Sequence, residues 1–268
     1  MPSISIMGCG WLGFPLARRC LELFFEVKGS TTREQKLLQL KSAGITPYLL
    51  QYDPQRLQPA HDFYRSQTLF INIPFRRQLP DPDFYYKQIR AVFEEARNGV
   101  EKIIFASSTS VYPEANPIAT EDSAFEPDNE RSAALRKAEE LLLNDFKNTT
   151  VVRFGGLVGG AREIGKLLAG KKDLSDAQKP VNLIHRDDCI DILLKIVERS
   201  LPGEVFNAVC DKHPCREELY VSRARKFGFA PPQFNRERSG TAYKIVSNTK
   251  LKERLDYTFR YPDPALFP

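Results

Sequence analysis

The stretch Ser3-Ile-Ser-Ile-Met-Gly-Cys-Gly-Trp-Leu-Gly13 decides the fold. Ser3–Met7 reads as a short β-strand that runs straight into glycine. Trp11–Phe24 carries apolar residues at Leu12, Leu16, Cys20 and Leu23 or Phe24, which is helical spacing. Gly8, Gly10 and Gly13 therefore form GxGxxG between a strand and a helix, the setting in which this pattern binds a dinucleotide. The first glycine permits a tight turn, the second lets the backbone approach a pyrophosphate, and the third lets helix pack on strand. The helix start, with Trp11 and Leu12, then offers backbone N–H groups and a positive dipole end to the phosphates.

Strands and helices go on alternating outward from this turn. Strands are expected at Val27–Ser30, Pro47–Leu50, Thr68–Ile73, Lys102–Ser107 and Thr150–Phe154. Helices are expected at Glu34–Ala43, Phe84–Arg97 and Arg131–Phe146. Thr68–Ile73 is a continuous run stopped by Pro74, as in a strand covered on both faces. This order implies an α/β fold with a doubly wound parallel sheet. Residues 1–154 read as a dinucleotide-binding domain. Residues 155–268 read mostly as a small C-terminal substrate-capping region, with about 181–209 returning to the sheet. Helices are expected near Arg162–Leu168 and over Asp187–Arg199 and Arg216–Phe227. The aromatic, proline-rich end, Thr258–Pro268, is expected along the surface.

Apolar residues make up 42% of the 268 and charged residues 27%, enough for a sizeable core. No apolar run approaches the roughly 20 residues that span a bilayer. The N-terminus lacks the basic segment of a signal peptide. These features point to a cytoplasmic protein with no membrane partner. The net charge of +5 is mild and its lysines and arginines are spread out, which argues against nucleic acid. Five cysteines form no CxxC pair and read as free thiols. Cys210, His213 and Cys215 lack the further ligands of a structural zinc site, so no metal is expected.

The end of the second strand reports on the cofactor ribose. NAD binders usually carry an acid there that accepts from the 2′-hydroxyl. Here Ser30, Thr31, Thr32 and Arg33 offer hydroxyls and a guanidinium, and no acid occurs before Glu34. That favours NADP, with NAD as second choice. Thr31 or Thr32 capping the next helix is the structural alternative.

With these pieces in place, the chain resembles the short-chain dehydrogenase/reductase superfamily, and within it atypical members of the extended branch, the NAD-dependent epimerase/dehydratase family. The resemblance rests on Gly8–Ala17, on Phe105-Ala-Ser-Ser-Thr-Ser-Val-Tyr112, and on Thr120-Glu121 with Pro127 and Glu139. It continues through Gly155–Gly159, Asn182–Asp188 and Ser247–Leu251. It implies a Rossmann-type sheet, with Ser108 as the catalytic hydroxyl at the substrate oxygen and Ser107 near the cofactor ribose. Asp53 would contact the adenine amine, Ile73-Pro74 would lie beside the adenosine ribose, and Phe154–Leu157 beside the nicotinamide. The hydroxyls of Ser107 and Ser108 capping a strand-to-loop turn is the plainer alternative.

The departures are as informative. Family members carry Tyr-x-x-x-Lys on the helix after Pro127; in the frame fixed by Pro127 and Glu139, Arg131 and Leu135 occupy those positions. No tyrosine occurs between Tyr112 and Tyr220. Arg136 and Lys137 read as a solvated helix face paired with Glu139 and Glu140. Arg162, Lys166, Lys171 and Lys172 read as surface charge and His185 as structural.

Two functions follow. One is an NAD(P)-binding oxidoreductase, or a sugar-nucleotide epimerase/dehydratase-like enzyme, acting on a small-molecule substrate without the usual relay. The other is a catalytically silent NADP(H)-binding redox sensor. The glycine turn serves both, and only the enzyme needs a proton donor.

Overall fold

The computed structural model describes residues 1–52, 61–75, 81, 83–114, 118–199, 201–238, 240 and 242–268. The chain forms two compact units. The first comprises Met1–Val111, Pro127–Val152 and Leu193–Val205; the second comprises Tyr112–Glu126, Arg153–Ile192 and Phe206–Pro268.

The first unit opens with β1 (Ser3–Met7), α1 (Gly13–Glu22), β2 (Glu26–Thr31), α2 (Gln35–Ser42) and β3 (Thr46–Leu49). It continues with β4 (Ser66–Ile71), α3 (Phe84–Ala96) and β5 (Val100–Ser108). The later elements are β6 (Ile118–Ala119), α4 (Glu130–Asp145), β7 (Thr149–Phe154), β8 (Gly156–Val158), α5 (Ile164–Leu167), β9 (Leu183–His185), α6 (Arg186–Glu198), β10 (Val205–Ala208), α7 (Arg216–Lys226), β11 (Ile245–Val246) and α8 (Thr249–Leu255).

Seven strands form one sheet in the order β10-β7-β5-β4-β1-β2-β3. The registered pairs β1–β2, β1–β4, β2–β3 and β4–β5 are parallel, with Ile6 opposite Gly29 on one side and Phe70 on the other. Ile4, Ile6, Leu69, Phe70, Ile103 and Phe105 are fully buried. Burial on both faces explains why these strands read as apolar runs. The doubly wound α/β expectation therefore holds, and order reverses between β1 and β4, the switch point at which such sheets bind ligands.

The strand expected over Thr68–Ile73 spans Ser66–Ile71; just past it the Asn72 amide still donates to Met7 O and its side chain turns to Gly8. Thr258–Pro268 runs along the surface as expected, with six of its eleven residues exposed, but it is anchored there: Phe259 and Phe267 are buried. Buried Asp188 accepts from the Tyr257 hydroxyl at 2.7 Å and from the Arg260 and Tyr261 amides at 2.7 and 3.1 Å. Buried Arg223 on α7 donates to Phe267 O at 2.6 Å and to Glu163 at 3.0 Å. The His185 ring lies tilted against Tyr261, with centroids 4.1 Å apart, and meets Phe267 edge-on. Without the anchored tail, buried Asp188 would lose these three donors.

Asp188→Ala strips an acceptor from three donors, so we expect a loss of roughly 3 kcal/mol, read as a Tm about 5–10 °C lower in thermal denaturation.

Candidate functional site

The glycine turn joins β1 to α1. Gly8 has φ +97°, and a Cβ there would stand 2.5 Å from the Asn72 carbonyl oxygen. A Cβ on Gly13 would lie 2.3 Å from Gly8 O. Gly10 differs: a Cβ would meet no heavy atom within 4 Å, and φ there is not positive. Packing and backbone conformation thus account for Gly8 and Gly13, while Gly10 keeps a space open. An open space at the second glycine is what a pyrophosphate requires, so the turn fits a dinucleotide. Leu12, buried, is the N-cap of α1 and no side chain caps that turn among the described residues; Trp11 is half-buried. The first-turn amides of a helix have no intrahelical acceptor.

Neighbouring strands hold the turn in place. The Gly8 amide donates to Ser30 Oγ at 3.0 Å and the Cys9 amide to Ser30 O at 2.8 Å. Asn72 donates from Nδ2 to Gly8 O at 3.1 Å and from its amide to Met7 O at 2.9 Å. Burial pushes the Cys9 thiol up to about 12, so it stays protonated in the ordinary range.

At the end of β2 the four expected residues have different surroundings. Ser30 is buried and its oxygen serves Gly8. Thr31 is buried and its Oγ1 accepts from the Arg33 amide at 3.1 Å. Neither threonine caps α2, whose N-cap is Glu34. Thr32 and Arg33 are exposed, and the Thr32 carbonyl accepts from Gln51. Asp53 lies outside the described residues.

Ile73 follows β4, half-buried, and its carbonyl accepts from the Tyr85 hydroxyl at 3.2 Å; Pro74 is exposed. Burial pushes Tyr85 up; Glu139 adds to the rise and Arg131 opposes it. Ser107, at the end of β5, is buried and donates to Glu139 on α4, itself 1% exposed. Glu139 is therefore not part of a solvated face, which corrects that expectation. The exposed pairs are Arg136–Glu140 and Lys137–Asp83. Ser108 is half-buried and its Oγ accepts from the Ser110 amide at 3.2 Å, which leaves its own proton to donate. Arg131 is half-buried in the first turn of α4 and Leu135 is buried one turn later.

In the second unit, Tyr112 is 2% exposed. Its hydroxyl donates to Asn207 Oδ1 at 2.9 Å and accepts from Arg153 at 2.6 Å. The Asn207 amide donates to Glu121 at 2.7 Å, and burial raises the Glu121 carboxyl. Tyr112 is thereby committed to this network. His185 is 3% exposed and burial lowers its affinity for a proton, so the buried ring is neutral. Arg162, Lys166, Lys171 and Lys172 are exposed. Cys210 and Cys215 point at Lys212 O and Glu218, and His213 at Val181 O.

Sequence reasoning missed Asn72 and the Tyr112–Arg153–Asn207–Glu121 network. Asn72 left a signal, as the one amide in an apolar run. The network left none, since its members lie up to 95 positions apart.

No protein-family model matches the chain. It is 31% identical to protein YeeZ of Escherichia coli K12 over 273 residues, covering 100% of this chain and 99% of that one. Among solved structures, UDP-glucuronic acid 4-epimerase from Bacillus cereus in complex with NAD superposes with a TM-score of 0.79 at 16% identity, over 98% and 95% of the two chains. Helicobacter pylori ADP-L-glycero-D-manno-heptose-6-epimerase gives 0.81 at 17% identity, over 98% and 93%. A short-chain dehydrogenase/reductase superfamily protein from Agrobacterium tumefaciens with bound NAD gives 0.80 at 18% identity, over 98% and 94%. The chain thus belongs to the family of protein YeeZ and shares its fold with the two epimerases and the short-chain dehydrogenase/reductase superfamily protein.

Proposed function

We propose that this protein binds NADP(H), with NAD(H) as the weaker ligand, and acts as an oxidoreductase or sugar-nucleotide-modifying enzyme without the Tyr-x-x-x-Lys relay. The observation that carries the reading is the open space at Gly10, which neither packing nor φ explains. The neighbouring folds support it: two have NAD bound, and two are epimerases of nucleotide-linked sugars. No helix among the described residues is long and apolar enough to cross a membrane; we place the protein in the cytoplasm.

When bound, a nicotinamide supplies or accepts a hydride. The chain's own residues do the rest. Gly8–Gly13 and the start of α1 would hold the pyrophosphate, and Ile73-Pro74 would lie beside the adenosine ribose. The Ser108 proton is directed to a substrate oxygen. Arg131, protonated at any working pH, polarises an oxygen but is a poor proton donor. An unassisted serine is a weak acid, so water or the substrate completes the proton transfer.

One observation favours a second reading, a silent NADP(H)-binding sensor. Tyr85 and Tyr112 are buried and already hydrogen-bonded. Under that reading the cofactor binds and nothing turns over.

Gly10→Ala tests the cradle. Its Cβ has room in the protein, so the variant should keep the parent's Tm and lose at least tenfold in NADPH affinity, about 1.4 kcal/mol; unchanged affinity in a titration refutes the site. Turnover is tested by NADPH oxidation across sugar nucleotides and small carbonyls. Ser108→Ala should abolish whatever activity exists. Tyr112→Phe should lower stability by about 1–3 kcal/mol through the lost hydrogen bonds while sparing activity; the reverse pattern refutes the roles assigned. Binding with no turnover across the panel would decide for the sensor.

A further inference from the structure

Two turns of the second unit share one pattern, an apolar run beside basic residues. Lys166-Leu-Leu-Ala-Gly-Lys-Lys172 leaves α5, and Arg225-Lys-Phe-Gly-Phe-Ala-Pro231 leaves α7. The fold lays them side by side. The Gly170 amide donates to Ala230 O at 2.8 Å and the Gln233 amide to Lys171 O at 2.9 Å, while Gly165 of α5 packs against the Arg223 carbonyl of α7. Leu266 joins them. Arg223 donates from Nη1 to the carbonyls on either side of it, Ala265 O at 3.4 Å and Phe267 O at 2.6 Å, and its guanidinium lies 4.6 Å over the Phe227 ring.

Leu167, Phe227 and Leu266 are 43%, 38% and 76% exposed, and Ala230 and Pro231 are exposed beside them. Exposed apolar residues gathered in one patch mark an interaction surface, as scattered ones do not. The free charge around this patch has one sign. Lys166, Lys171, Lys172, Arg225 and Lys226 are exposed, and none forms an ion pair with a carboxylate among the described residues. The acids that flank the same segments are engaged: Glu163 with Arg223 at 3.0 Å, Asp173 with Arg238, and Asp263 with the Ala265 amide at 2.9 Å.

Shape decides what such a surface meets. Both runs are tight turns, closed by the Lys171 amide on Leu168 O and the Gly228 amide on Arg225 O, with Gly170 and Gly228 at φ +69° and +71°. A peptide docks in a groove or along a sheet edge, and a small molecule in a concave pocket. A protruding apolar tip with a basic rim matches an anionic lipid surface instead: the apolar side chains enter the head-group boundary and the cations meet the lipid charge.

We propose that the paired turns, with Leu167, Phe227 and Leu266 at their tip, attach the protein peripherally to membranes that carry anionic phospholipid. The expectation of no membrane partner rested on the lack of a spanning segment, which surface attachment does not need. The attachment is independent of the dinucleotide reading.

The test sediments the full chain with phosphatidylcholine vesicles, made with and without phosphatidylserine, at low and high salt. Soluble polyglutamate serves as an acidic protein-like probe. One double variant, Leu167→Ser with Leu266→Ser, removes the apolar tip. A second, Lys171→Gln with Lys172→Gln, removes two rim charges. A third, Arg18→Gln with Lys41→Gln, removes the same charge from exposed sites of the first unit. Phe227 is left in place because its ring supports Arg223, and each variant must keep the parent's Tm. We expect the parent to prefer the phosphatidylserine vesicles by roughly tenfold or more, high salt to weaken binding, the first two variants to lose roughly tenfold each, and the third to lose little. No binding to phosphatidylserine vesicles overturns the proposal. Equal losses in the second and third variants assign any binding to net charge and overturn it too. Full binding by the leucine variant, with polyglutamate bound as tightly as vesicles, gives the face to an acidic protein and overturns the membrane assignment.

Discussion

The residue on which the first unit turns is Gly8. Its amide is held by Ser30 at the end of β2, its carbonyl by Asn72 at the end of β4, and Gly13 packs within van der Waals range of that same carbonyl. Three chain segments therefore meet on one peptide. With β1 flanked by β2 and β4 in the sheet, these bonds fix the strand ends relative to one another and aim the start of α1. A side chain at Gly8 would collide with the Asn72 carbonyl and could not easily adopt its φ. The cradle at Gly10 follows from this, because its own backbone is placed by neighbours on both sides rather than by packing of its own.

That arrangement uses up polar groups that a reading of residue types would assign to a ligand. Ser30 and Thr31 look like phosphate donors by chemistry, yet their oxygens complete the turn. Ser107 looks like a ribose contact, yet its proton goes to Glu139. A buried hydroxyl is satisfied locally whenever a partner is near, since leaving it unpaired costs about 1–3 kcal/mol. On the proposed reading, the groups left for a ligand are those half-buried or exposed near the strand ends, Thr32, Arg33 and Ser108.

How much of this was legible in the sequence depended on the range of the signal. Local periodicity located β1, β2, β5, β7, α1, α3 and α4 to within one or two residues. Glu139 shows where an assumption overrode a pattern. Leu135, Ala138 and Leu142 are buried on α4, and Glu139 stands at the same helical spacing. Its charge suggested solvent; its position said core, and Ser107 supplies the partner that permits burial. The anchoring of the tail was hidden for a different reason. Thr258–Pro268 has no period to read, and what anchors it are Asp188 and Arg223, which lie far from it along the chain.

On the proposed reading, the lack of a Tyr-x-x-x-Lys relay constrains the chemistry more than the groups present do. A tyrosine beside a lysine can give up a proton because the phenolate it leaves is stabilised. Here each candidate substitute lacks one half of that arrangement. Tyr85 has Arg131 acting on it, but it is 3% exposed, hydrogen-bonded to Ile73 O, and held protonated by burial. Tyr112 has Arg153 at its hydroxyl, but it is equally enclosed and shared with Asn207. Ser108 is half-buried and keeps a proton to donate, but among the described residues no base or cation is hydrogen-bonded to it. On the proposed reading, Ser108 and Arg131 therefore orient and polarise an oxygen whose proton must come from solvent or from the substrate itself. Such a site favours substrates that carry their own acidic hydrogen near the reacting carbon, or a cofactor that is held and not turned over.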